Sequence, residues 1–220
     1  MQRKAILLIT IILSLSLLLS ACGQKSAAAV SVIGEDEAKQ AGLALINQAF
    51  GVEETEALAQ YQELPGEPKP DNGVPHYGGR ESKRVYLLMV ASKEAGEESY
   101  TAKVDAVTGI AFYAERNMSY IELTAEQQKQ AESLGTPETY NPNALIPAQQ
   151  DAEQLVNEYM KPLLGKEDSV LRVFPDMIET DSVDFPKVRL EYFVLTESGR
   201  IYHIELCWPT MELIFVEIRD

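Results

Sequence analysis

The side chains able to do chemistry are few and scattered. Histidine occurs only at His76 and His203, and cysteine only at Cys22 and Cys207. Zinc takes three or four nitrogen or sulfur ligands, usually with local spacing such as two histidines one helical turn apart, and no such set is present. His203 alternates with Ile201 and Glu205 along one strand face and reads as a surface or satisfied histidine. His76 lies beside Tyr77 in a Pro- and Gly-rich stretch and reads as solvated loop. No serine stands in a Gly-x-Ser-x-Gly elbow, and Gly165-Lys166 lacks the preceding glycine and following hydroxyl of a phosphate loop. In a chain with 34 acidic residues, pairs such as Asp181 and Asp184 carry no specificity for hydrolysis or calcium. Asn117-Met118-Ser119 is a glycosylation sequon by spelling only. No catalytic, cofactor-binding or metal-binding residue is assigned, no cofactor is implied, and no enzyme activity is expected.

Cys22 is different, because its surroundings give it a reaction. Arg3 and Lys4 precede an apolar run over 5–18, and Leu19-Ser20-Ala21-Cys22 closes it. A basic start, about fourteen apolar residues and a small-residue site make an export signal over 1–21, short for a membrane-spanning helix. Its last four residues resemble the lipobox of bacterial lipoproteins. That resemblance implies lipidation at Cys22: a diacylglycerol on the sulfur, cleavage before it, and acylation, for example by palmitate, of the new amino group. At roughly 0.8 kcal/mol per buried methylene, two or three acyl chains anchor a protein where one would not. The expected location is the extracytoplasmic face of the cell membrane. Gly23 offers no aspartate retention signal, so in a cell with two membranes the outer one is expected.

The net charge of −15 becomes more negative without Arg3 and Lys4, the only charged side chains in 1–21. Such a surface repels phosphates and anionic headgroups, which argues against nucleic acid and against direct adhesion to lipid. Membrane attachment then rests on the lipid anchor. With Cys22 acylated, Cys207 has no disulfide partner, and in Glu205-Leu206-Cys207-Trp208 it reads as a buried small hydrophobe.

The elements follow from periodicity and breakers. Residues 22–32 are small and polar and read as a tether reaching at most about 35 Å. Gly34 caps a helix with Glu35, Asp36 and Glu37 in its first turn, an apolar face at Ala38, Gly42, Leu45, Ile46, Ala49 and Phe50, and Gly51 as its stop. Residues 53–64 are assigned to a strand, and 65–79, with four prolines and four glycines, to a long loop. Strands are expected over 85–91, 100–104 and 110–114, with Asp105-Ala106-Val107-Thr108-Gly109 as a tight turn. Thr124-Ala125-Glu126-Gln127 is a capping box opening a polar helix that ends at Gly135, and 136–147 reads as a linker. The order then returns: one helix over 149–164, and strands over 169–174, 187–196, 200–208 and 211–218, with Glu197-Ser198-Gly199-Arg200 as a hairpin turn. Residues 104–113 align with 206–215, placing Thr108 over Thr210. Cys207 then stands for the Asp and Met211 for the Gly, so the second turn is expected to close differently, through Pro209.

The first copy resembles the PepSY domain, through the capped acidic helix at Glu35-Asp36-Glu37-Ala38-Lys39, then Phe50-Gly51-Val52, and then Tyr100 to Gly109 ending in an acidic-x-x-Thr-Gly turn. The resemblance covers about 33–114, and 148–218 follows more loosely. It implies an α+β fold of two tandem units, each a helix packed on an antiparallel β-meander: a first unit over 33–115, a short helix and linker over 116–147, and a second unit over 148–220. It also implies a non-catalytic module that binds or regulates an envelope protein, a peptidase being one candidate class. The competing expectation is an envelope enzyme or small-ligand receptor, with a site between the units around His203, Tyr202 and Trp208.

Overall fold

A computed structural model describes residues 31–64, 83–91, 98–180 and 183–219. Cys22, most of the tether, the 65–79 stretch with His76, and Asp181 lie outside the described residues. The fold is α+β, built on one antiparallel sheet of eight strands in the order β1-β2-β3-β4-β8-β7-β6-β5. The strands are β1 (Leu58–Leu64), β2 (Lys83–Ala91), β3 (Glu98–Asp105), β4 (Ala111–Arg116), β5 (Val170–Glu179), β6 (Val188–Thr196), β7 (Ile201–Trp208) and β8 (Glu212–Arg219). The helices are α1 (Glu35–Phe50), α2 (Ala125–Glu132), α3 (Ile146–Asp151) and α4 (Glu153–Leu164). No helix among the described residues is long and apolar enough to cross a membrane.

Each half runs helix, then four-stranded meander, and the halves join through their last strands. In β4 and β8, Tyr113 faces Glu217, Ala114 faces Val216 and Glu115 faces Phe215. Under the alignment of 104–113 with 206–215, Tyr113 corresponds to Phe215 and Glu115 to Glu217. The pairing is therefore its own mirror about the Ala114 and Val216 pair, which marks a local two-fold axis through the sheet.

The equivalence extends to irregularities. A bulge interrupts β3 against β4 between Lys103 and Val104, and another interrupts β7 against β8 between Glu205 and Leu206, the aligned positions. Both following turns close on the same backbone bond. Gly109 N–H donates to the Asp105 carbonyl at 2.9 Å, and Met211 N–H to the Cys207 carbonyl at 2.6 Å. Thr108 Oγ1 accepts from Ile110 N–H, as Thr210 Oγ1 does from Glu212 N–H. The expectation of a different closure is corrected: Met211 takes the left-handed conformation at φ 58°, close to the 74° of Gly109. Pro209 follows a cis bond but does not replace that closure. What the second turn lacks is the Asp105 carboxylate, which accepts from the N–H groups of Val107 and Thr108 at 2.8 Å each.

The helices cover one face of the sheet. α1 buries Ala38, Leu45, Ile46 and Ala49 against Leu88, Ala102, Val104 and Ala114, in a core continuous with Val156, Met160, Leu190, Tyr192, Ile204, Leu206 and Val216 of the second half. The single helix expected over 149–164 is instead α3 and α4, which meet at Ala152. The physical reason lies at Gln149, which is buried where helix periodicity asks only for a polar filler. Its side-chain amide donates to the carbonyls of Met177 and Glu191 at 3.1 and 3.0 Å, while its backbone carbonyl accepts from Tyr192 Oη at 2.9 Å.

Candidate functional site

Strand alternation sends every second residue of the same strands to the face the helices leave open. On β6, β7 and β8 these residues are not surface polar groups of the usual kind. Glu191, His203 and Glu205 are only 5%, 7% and 6% exposed. Glu191 and Glu205 stand directly opposite each other on β6 and β7, an arrangement that repels unless a donor or cation intervenes.

Two groups intervene. His203 Nε2 lies 3.1 Å from Glu191 Oε2 and 3.8 Å from Glu205 Oε1. Arg189 donates to Glu205 Oε2 at 3.0 Å and reaches Glu115 of the first half at 3.6 Å. Burial pushes the Glu205 carboxyl above its ordinary value, Arg189 pulls it back, and the neighbouring Glu191 adds to the rise.

The other ring nitrogen fixes the protonation pattern. Arg219 Nη2 is 3.2 Å from His203 Nδ1. Guanidinium only donates, so Nδ1 accepts, the ring proton sits on Nε2, and Nε2–H points at Glu191. This bears on metal binding. The ligand atoms of Glu191, His203 and Glu205 lie within 4.8 Å of one another, a spacing one cation could bridge. A metal on Nε2 would displace that proton and needs Nδ1–H facing an acceptor, whereas a donor faces it here. Arg189 already engages Glu205. The arrangement fits a self-satisfied polar network better than a metal centre.

Aromatic rings run through the same face. Phe193 stacks on His203 at 5.0 Å between centroids, Phe215 meets His203 edge-on at 5.0 Å, and Tyr113 meets Phe215 edge-on at 5.1 Å. Cations close both ends, Arg219 over Phe193 at 5.0 Å and Lys103 over Tyr113 at 3.8 Å. Burial, and then the bond Tyr113 Oη donates to Glu115, hold its phenol well above the ordinary value. Cys207 shares the face and is fully buried with Met118, Ile121 and Ile214. Burial raises its thiol to about 11, so it is an inert packing group at neutral pH.

Beside this network lies a cleft of about 300 Å³, walled by Tyr100, Thr101 and Glu115 of the first half, by Asn117 just after β4, and by Asp184 and Arg189 after the linker. Nearby, Lys187 donates to the carbonyls of Met118, Ser119 and Ile121, which ties the segment after β4 to the residue before β6.

The residues proposed for a site between the units do not assemble. Tyr202 and Trp208 are buried in the core on the helix side, while His203 faces the other way. The period-two alternation of β7 separates them, since even and odd positions never share a face. Glu191 and Arg189 were missed because the register of β6 on β7 is set by the closing bond of the turn, which the turn's composition does not specify. The Thr196 and Arg200 turn closes by Thr196 N–H donating to the Arg200 carbonyl, and counting back from it pairs Glu191 with Glu205.

No protein-family model matches the chain, and no curated protein matches it significantly. Among solved structures, the C-terminal domain of Bacillus megaterium YpeB is similar with a TM-score of 0.43 and 9% identity, over 85% of this chain and 63% of that one. The chain thus spans less than two thirds of that domain, and a likeness this distant carries no argument about function.

Proposed function

We propose that the chain is a membrane-tethered, non-catalytic envelope lipoprotein that binds or regulates a protein partner, a peptidase being the class the PepSY resemblance singles out. The observation that supports this reading is how the helix-free face uses its chemical groups. Its histidine, three of its carboxylates and two of its arginines are engaged with one another, and its thiol is buried. A general acid or base needs a proton it can exchange with a substrate, and a nucleophile needs an adjacent base. Around these buried groups the face presents Phe174, Phe193, Arg189 and Arg219, a mixed aromatic and charged surface that suits contact.

A photocrosslinking residue in place of Phe174, exposed beside Phe193, tests the reading in intact cells. The expected outcome is one dominant protein adduct that is missing when the same group replaces Glu126 on α2. Anchoring is tested separately: Cys22→Ala moves the protein from the detergent phase to the aqueous phase, and an unchanged membrane fraction refutes it.

The cleft walled by both halves favours a second reading, a small-ligand receptor. It sets Arg189 against the carboxylates of Glu115 and Asp184, a mixed lining that suits a small zwitterion such as an amino acid. Isothermal titration with amino acids, giving heat that Arg189→Gln abolishes, would support this reading over the first.

A further inference from the structure

The two outer strands of the sheet are built differently. β5 carries Pro175 and two register shifts against β6, between Val170 and Arg172 and between Pro175 and Ile178. Proline and bulges are devices that stop a further strand from adding to an edge. β1 has neither. Its seven residues pair with β2 without a break from Leu58 opposite Met89 to Leu64 opposite Lys83, and no strand among the described residues pairs with its outer side. Leu58 is 71% exposed, and Tyr61 and Leu64 are exposed as well.

The sequence of this open edge, Leu58-Ala59-Gln60-Tyr61-Gln62-Glu63-Leu64, is nearly a palindrome about Tyr61. An antiparallel strand of the same sequence, centred on Tyr61, places Leu58 opposite Leu64, Gln60 opposite Gln62 and Tyr61 opposite Tyr61 of the second copy. Leucines and glutamines then share the helix-free face, and the tyrosines meet on the helix side, where Tyr61 already packs edge-on against Tyr86. The one charge, Glu63, faces Ala59. Its counterpart in the other copy lies four residues along, about 13 Å away at the rise of a strand, so like charges do not meet. This is the condition an isologous two-fold interface must satisfy, since each residue has to suit its own symmetry mate's surroundings.

We infer that β1 pairs antiparallel with β1 of a second copy, about a two-fold axis at Tyr61, to give a continuous sheet across two chains. The contact is one strand pair, so the dimer is weak and concentration-dependent. It does not depend on how the chain is anchored or what else it binds.

Disulfide crosslinking of the full chain tests the register. Tyr61→Cys gives a disulfide-linked homodimer on mild oxidation, because the two sulfurs then face each other. Ala59→Cys does not, since its mate lies beyond disulfide reach. Leu58→Cys and Leu64→Cys crosslink when co-expressed and not when expressed alone. Gln60→Lys with Gln62→Lys in the Tyr61→Cys chain abolishes the crosslink by placing lysines opposite each other. Co-expression with the matching Gln60→Glu and Gln62→Glu chain restores it. These substitutions are at an exposed edge, and an unchanged circular dichroism spectrum shows the fold intact. Equal crosslinking from Tyr61→Cys and Ala59→Cys, none from either, or adducts only to a different protein would each overturn the inference.

Discussion

The two meanders share a backbone and differ in what they place on the open face. At register-equivalent positions the first half has Val85, Leu87, Thr101, Lys103 and Asp105, and the second has Arg189, Glu191, His203, Glu205 and Cys207. The bulge, the left-handed turn residue and the pairing through the last strand are common to both. The fold therefore needs the turn and the bulge, while the open face is at liberty to vary. Only the second half has used that liberty to bury a hydrogen-bonded polar network, and Arg189 with Glu115 carries it across the two-fold axis.

The comparison breaks most visibly at Arg189. Arg189→Val, which installs the first half's residue, leaves the buried Glu205 without its cation and costs about 3 kcal/mol in a urea titration. Adding Glu205→Leu recovers most of that loss, because an apolar pair replaces a paired charge at little net cost. Full stability in Arg189→Val alone would mean that the network is ornamental.

The shared turn is the next place to press. Gly109→Ala forces a Cβ into the left-handed region and lowers stability by about 1 kcal/mol, and Gly109→Asn by less. Equal stability of both variants with the parent would show that the backbone closure of the turn is not constrained as Met211 suggests.

A smaller effect appears with pH. The folded chain holds the Glu205 proton more tightly than the unfolded chain, so this group's contribution falls as pH rises from the ordinary 4.5 through the raised value. Glu205→Gln removes that declining limb from stability measured against pH. The opposite sign is expected at Asp168, whose carboxylate accepts from the Ser198 hydroxyl and backbone beside the turn joining β6 and β7. Those bonds, the Ser198 side chain foremost, hold Asp168 at about 2 against an ordinary 3.8. Its contribution is present above 3.8 and is lost as the solution is acidified towards 2. Asp168→Asn flattens that acid limb, and the change is the slightest of the four because the group is exposed.

Local chemistry fixed the elements in advance. Gly34 and Gly51 bracket α1, the Thr124 and Gln127 capping box opens α2, and Gly199 turns β6 into β7, because caps and left-handed turns depend on a few neighbouring residues. The α+β order and the kinship of the two turns were legible for the same reason. Tertiary contacts decided the rest. Gln149 was drawn into the core and divided a helix whose periodicity ran unbroken, and β4 found β8 rather than ending a separate sheet. Residues on the open face reveal their partners only once four strands lie side by side, since Arg189, Glu205 and Glu115 come from three strands and both halves. Periodicity names the face a side chain takes; which other side chains stand there is set by pairing over long stretches of chain, and that information is not local.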